Sequence, residues 1–207
     1  MSNKGSLIVM SAPSGCGKTS LAKRALREMS DMTFSVSHTT RQPREGEREG
    51  VDYFFVSKDD FQKMVEQDAF LEYAHVYGND YGTSRDFVDA KLDAGYDVLL
   101  DLDVQGAAQV KERYPAAILL FVLPPSLEAL QRRLRNRGLD DPGVIAERLK
   151  IARKVIEYYT NYQFVIINKE IEESLLELKS IIQVAGYRME RRKALAEEIL
   201  KTFPENS

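Results

Sequence analysis

The stretch Ser6–Thr19, SLIVMSAPSGCGKT, constrains the fold more tightly than any other part of the chain. Ser6–Ser11 is a short, continuously apolar run, the pattern of a strand buried on both faces of a parallel sheet. The loop Ala12-Pro13-Ser14-Gly15-Cys16-Gly17-Lys18-Thr19 follows, and a helix is predicted from about Thr19 to Met29. Glycines let consecutive backbone N–H groups turn inward around a phosphate, and the helix N-terminus adds partial positive charge. Lys18 can then reach β- and γ-phosphates, and the Thr19 hydroxyl can ligate Mg²⁺. The usual motif opens with glycine, whereas this chain has Ala12 there; the strand–loop–helix context is kept. Cys16 has two readings, a thiolate favoured by the helix end or a tolerated residue at a variable loop position, and the second is preferred.

Strand and helix signals then alternate. Strands are expected at Thr33–Val36, Tyr96–Leu102, Ala117–Leu123 and Phe164–Ile167. Helices are expected after Ser57 with its Asp60 partner, from Ser84 to Gly95, over Val104–Arg113, after Ser126, from Asp141-Pro142 to about Tyr159, and as one long C-terminal helix. FLEYAHVYGNDYG predicts a hairpin around Gly78-Asn79-Asp80. The class is α/β, three layers α/β/α with a mostly parallel central sheet. Residues 37–87 interrupt this order with charged and turn-forming sequence, and so form an insertion; residues 131–154 form a second, helical one. The core is then 1–36, 88–130 and 155–207.

Composition matters mainly for what it excludes. There are 29 Lys and Arg against 32 Asp and Glu, a net charge of −3 and a pI near 5.6. No general grip on nucleic acid or an anionic membrane follows from that balance. One cysteine cannot form an internal disulfide, and Ala116–Leu123 is too short to span a bilayer. The N-terminal residues carry no signal-peptide pattern, so the expectation is a cytoplasmic protein. Gln131–Lys154 differs from the rest: it holds eight basic and three acidic residues.

Thr39-Thr40-Arg41-Gln42-Pro43-Arg44-Glu45-Gly46-Glu47 sets two guanidinium groups near a turn, and arginine forks suit a phosphate monoester. Taken singly, Arg41 and Arg44 read first as solvated loop charges and Glu72 as a surface residue at a strand edge, while Asp103 can instead cap the helix at Val104. His38 and His75 have no supporting nucleophile or acid pattern and read as structural or surface residues.

Together SAPSGCGKT, SHTTRQPREGE, VDYFF, FLEYAHVYGNDYGTS, DVLLDLDVQGA, RRLRNRG and the late Ile-Ile-Asn resemble the guanylate kinases, a P-loop nucleoside monophosphate kinase family, over nearly the whole chain. The resemblance implies a P-loop core with a GMP-binding insertion and a lid, and transfer of the ATP γ-phosphoryl group to GMP, with dGMP as a further acceptor. It implies that Ser37, Arg41, Arg44, Tyr53 and Tyr81 hold the GMP phosphate. Glu72 would accept from guanine N1–H and the exocyclic amine, and Thr83 would bond O6. Asp101 would lie near Mg²⁺ through water, and Asp103 near the guanosine. On the donor side it implies Ala12 to Ser20 and Asn168 for ATP, with Lys18, Arg41, Arg135, Arg137 and Arg148 neutralising charge during transfer. Arg132 is a weaker candidate. Monomer and homo-oligomer both stay open. Two rival readings carry less weight: a non-enzymatic peptide-binding module, against which the phosphate-loop residues Gly15, Gly17, Lys18 and Thr19 stand, and a kinase for another phosphate ester, against which Glu72 with Thr83 argues for a purine acceptor.

Overall fold

A computed structural model describes residues 4–76, 78–135 and 141–203. Five strands, β1 (Leu7–Ser11), β2 (Met32–Phe34), β7 (Asp97–Asp101), β8 (Ile118–Leu123) and β9 (Phe164–Ile167), form one sheet in the order β2-β7-β1-β8-β9. Every pairing in it is parallel. β1 is buried along its whole length, so its side chains alternate between two apolar layers rather than between core and water. Ile8 and Met10 face a layer with Leu99, Leu120 and the helices α1 (Lys18–Glu28), α5 (Leu127–Arg135), α6 (Pro142–Ile156) and α7 (Ile171–Ala185). Leu7 and Val9 face the other, with Val98, Leu100, α3 (Arg85–Asp93) and α4 (Val104–Arg113). The three-layer α/β/α expectation is met.

A second sheet lies within residues 38–84, in the order β4-β3-β6-β5: β3 (His38–Thr39), β4 (Phe54–Phe55), β5 (Phe70–Val76) and β6 (Asn79–Ser84). The β5–β6 hairpin turns where Gly78 takes φ +80°, a left-handed conformation that glycine adopts without steric cost. Its register sets Glu72 opposite Thr83, after an irregularity between Phe70 and Glu72. The helix α2 (Lys58–Glu66) starts as its capping signal predicts, Ser57 accepting from the Asp60 N–H at 3.0 Å. Ser84 caps α3 in the same way.

Two expectations need correction. The single C-terminal helix is two, α7 and α8 (Met189–Leu200), because Arg188 is extended and the Gly186 N–H turns back to Ile182 and Gln183. Arg191, at the start of α8, then pairs with Asp97 at 2.8 Å and ties that helix to the beginning of β7. The helix expected to reach Tyr159 ends at Ile156 and continues only as a 3₁₀ turn, Glu157–Asn161. Asp141 occupies the cap position of α6, but its side chain makes no capping bond. Among the described residues no helix is long and apolar enough to cross a membrane.

Candidate active site

The loop between β1 and α1 opens at the carboxyl ends of the parallel strands, the edge where ligands gather in open α/β sheets. Gly15 and Gly17 take φ +92° and +86°. Close packing reinforces both choices. A Cβ at Gly15 would lie 2.8 Å from Leu134, and one at Gly17 would lie 2.5 Å from the Asn168 amide nitrogen. Ser14 and Ser20 are exposed, while Pro13 and Cys16 are buried and Ala12 and Gly15 are partly so. Burial pushes the Cys16 thiol up to about 12, so the thiolate reading is set aside in favour of a packing role.

Parallel pairing brings Met10 beside Asp101, and so carries Asp101 to the loop. Lys18 pairs with the Asp101 carboxylate and donates to the Leu102 carbonyl at 2.9 Å. The Thr19 hydroxyl donates to the other Asp101 oxygen at 3.2 Å. A hydroxyl and a carboxylate this close are hard oxygen donors suited to Mg²⁺, which takes few protein ligands and keeps water and phosphate in its shell. No group of three or more His, Cys, Asp or Glu that could cage a metal occurs among the described residues.

Side chains from distant sequence brace the loop. The Asn168 amide donates to the Cys16 carbonyl at 2.7 Å, and its oxygen accepts from Ser174 at 3.0 Å. Arg133 donates to the Cys16 carbonyl at 3.3 Å and to the Asn168 carbonyl at 2.8 Å. Arg148, expected on the donor side, reaches the Ser14 hydroxyl at 2.7 Å. Arg135 and Arg132 are exposed on α5. Arg137 lies outside the described residues.

A cavity of about 230 Å³ adjoins this loop, its walls including Ser37, Tyr53, Glu72, Tyr81, Asp101 and Asp103. Glu72 is only 4% exposed and accepts from the Thr83 hydroxyl at 2.6 Å. Burial raises its pKa to about 7; the Thr83 bond opposes that rise and the Asp103 charge adds to it. Asp103 also accepts from the backbone N–H groups of Gln105 and Gly106, so it both caps α4 and lines the cavity.

Arg41 lies over the Tyr53 ring, 5.3 Å from its centroid, and Tyr53 meets Tyr81 edge-on at 5.9 Å. Glu47 grips the Arg41 guanidinium with both oxygens at 2.8 and 2.9 Å. Arg44 is exposed; its backbone N–H is bound to Glu47. His38 stacks on Phe54, and exposed His75 pairs with Asp80, as structural readings require.

Sequence reasoning did not single out Glu47, Arg133 or Ser174 as supports of the site. Arg133 stands in a conspicuous basic cluster, but spacing does not distinguish an arginine that braces backbone from one that meets a ligand. A larger cavity, about 670 Å³, opens at the start of β1 among Gly5, Tyr114 and Arg188. It contains none of the residues assembled around the loop.

Residues 4–185 match the family model described as guanylate kinase. The chain is 48% identical over 197 residues to a guanylate kinase of Alkalilimnicola ehrlichii, covering 95% of this chain and 97% of that protein. It is 47% identical over 192 residues to that of Escherichia coli K12, covering 92% and 93%. The fold is similar to the crystal structure of guanylate kinase from Anaplasma phagocytophilum, with a TM-score of 0.81, 32% identity, and coverage of 100% and 99%.

Proposed function

The chain belongs to the guanylate kinase family, and from that premise we infer that it transfers the γ-phosphoryl group of ATP to GMP, giving ADP and GDP in purine nucleotide metabolism. The observation that carries the acceptor reading is buried Glu72, which lines the cavity beside the phosphate loop and is held from behind by the Thr83 hydroxyl. Guanine offers N1–H and an exocyclic amine to a carboxylate, and O6 to the Thr83 hydroxyl once its proton turns away from Glu72. Adenine offers neither donor, and a buried carboxylate facing it would lose its partners. The deoxy acceptor dGMP presents the same base and phosphate.

The acceptor phosphate is held by Ser37, Arg41, Arg44, Tyr53 and Tyr81. When it binds, Arg41 exchanges its grip on Glu47 for a phosphate of like charge, which keeps the guanidinium partnered throughout. On the donor side, ATP lies along residues 12–20 with Asn168 nearby, and Lys18 leaves Asp101 for the β- and γ-phosphates. Thr19, with Asp101 through water, would hold Mg²⁺, which when bound with ATP neutralises phosphate charge. In-line transfer then needs alignment and charge neutralisation from Lys18, Arg41, Arg135, Arg137 and Arg148. The attacking phosphate oxygen is already anionic, so no general base is assigned.

Residues 37–87 serve as the acceptor insertion and 131–154 as the lid, carried on a core of 1–36, 88–130 and 155–207. Lid closure excludes water that would otherwise hydrolyse ATP. The protein acts in the cytoplasm on small nucleotides, without nucleic acid or membrane partners, as a monomer or homo-oligomer. A coupled ADP-release assay across GMP, dGMP, AMP, UMP and ribose phosphates tests the reading. GMP is expected to be turned over and AMP rejected; no turnover with GMP overturns it.

A further inference from the structure

Gly106 stands in the first turn of α4, in a helix whose other residues include good helix formers. Glycine is the poorest helix former after proline, so its presence there calls for a local cause. Its backbone supplies none: φ is not in the left-handed range, so no unusual conformation requires glycine. Space does. A Cβ at this position would lie 2.8 Å from Glu72 Oε2 and 3.4 Å from the Glu72 carboxyl carbon. The clash is with the far end of a side chain, so the fold can accommodate it by moving the carboxylate.

The carboxylate has little freedom to move without consequence. Its other oxygen is fixed by Thr83 at 2.6 Å. The strand that carries it, β5, is the edge of the second sheet, and α4 fastens that edge: the Tyr73 N–H donates to Gln109 Oε1 at 3.2 Å, and Gln109 Nε2 donates to the Tyr73 carbonyl at 3.0 Å. The Gly106 N–H is itself bound to Asp103 at 2.8 Å, which holds the helix start in place. Backbone movement is thus resisted on both sides, and an added methyl group would displace the Glu72 carboxylate alone.

We propose that Gly106 is a specificity-determining positioning residue, whose missing side chain sets where the Glu72 carboxylate meets the acceptor base. This rests on the reading of Glu72 as the guanine acceptor. Gly106 touches no reacting atom; it acts through Glu72.

The test is Gly106→Ala, assayed alone and in a Glu72→Asp background, where the shorter side chain leaves room for the methyl group. G106A is expected to raise the KM for GMP about tenfold or more, the scale of a weakened charged hydrogen bond. The KM for ATP should stay within about twofold, and Tm should not fall, since alanine favours the helix. In the E72D background the same substitution should cost less than about threefold, a coupling that independent sites do not show. An unchanged KM for GMP in G106A, or an equal penalty in both backgrounds, overturns the inference. So does a G106A chain that fails to fold, which would make the glycine a requirement of the fold rather than of the Glu72 position. GMP binding to the unsubstituted chain, titrated alongside, separates the failures: no binding there sinks the acceptor reading itself, whereas normal binding with an unaffected G106A sinks only the role of the glycine.

Discussion

Replacing Glu72 by glutamine should stabilise the free protein at alkaline pH while weakening GMP binding. Burial lifts the Glu72 carboxyl from its ordinary 4.5 to about 7. The folded state therefore holds this proton more tightly than the unfolded chain does. The stability that follows is fully present below about 4.5 and is lost as pH rises through about 7. The difference corresponds to about 3 kcal/mol at most. Glutamine carries no charge to desolvate, so E72Q should escape this loss. Its advantage over the unsubstituted chain should grow between pH 5 and 8, by several degrees in Tm for a chain of this size. GMP binding should show the opposite preference. If only the carboxylate accepts the two guanine donors, the KM for GMP rises about tenfold from pH 8 to pH 6. Part of any such rise comes from the GMP phosphate, whose second pKa is near 6. That contribution persists in E72Q and can be subtracted. E72Q itself should bind GMP about ten- to a hundredfold more weakly, having lost a charged acceptor. Thermal melts and steady-state kinetics at pH 5 to 8 decide the matter. Parallel pH profiles for the two proteins, in stability and in KM, would refute the argument.

Other outcomes follow from the same geometry. Lys18→Ala should lower kcat by about a hundredfold or more while far-UV circular dichroism is retained, the scale of losing one preorganised charge donor; unchanged turnover would remove Lys18 from the transfer step. Asn168→Ala leaves the Cys16 carbonyl and the Ser174 hydroxyl without the amide, and should cost about 1–3 kcal/mol in urea unfolding together with a raised KM for ATP. Iodoacetamide at pH 8 should leave Cys16 unmodified in the folded protein and alkylate it after denaturation, because burial raises its pKa to about 12; rapid labelling of the native chain, read by mass spectrometry, would contradict this. Glu47→Gln should weaken the hold on Arg41 and change the KM for GMP more than that for ATP.

Much of the core was legible because its signals are local and redundant. An apolar run followed by a glycine loop, or Pro124-Pro125 followed by Ser126, fixes an element by its own chemistry, and α4 and β9 fall on their expected residues. The C-terminal helix was misread because nothing local is decisive there: Gly186 and the two residues after it are compatible with a helix, and the break is fastened by a long-range pair, Arg191 with Asp97. The capping role of Asp103 and its place in the cavity were both readable, and both are realised. By contrast, the brace of Arg133, Asn168 and Ser174 on the Cys16 carbonyl joins residues more than a hundred positions from the loop. No periodicity announces such a contact.

Asp101 belongs to two places at once. It lines the acceptor cavity, and it holds Lys18 and Thr19 at the phosphate loop. A nucleotide that draws Lys18 away alters the charge that the acceptor meets, and an acceptor phosphate alters what Lys18 leaves behind. The two substrates are thereby thermodynamically linked, and linkage has no preferred direction. Whatever factor ATP imposes on the dissociation constant of GMP, GMP must impose the same factor on that of ATP, and the shared carboxylate is a contact through which that factor is set.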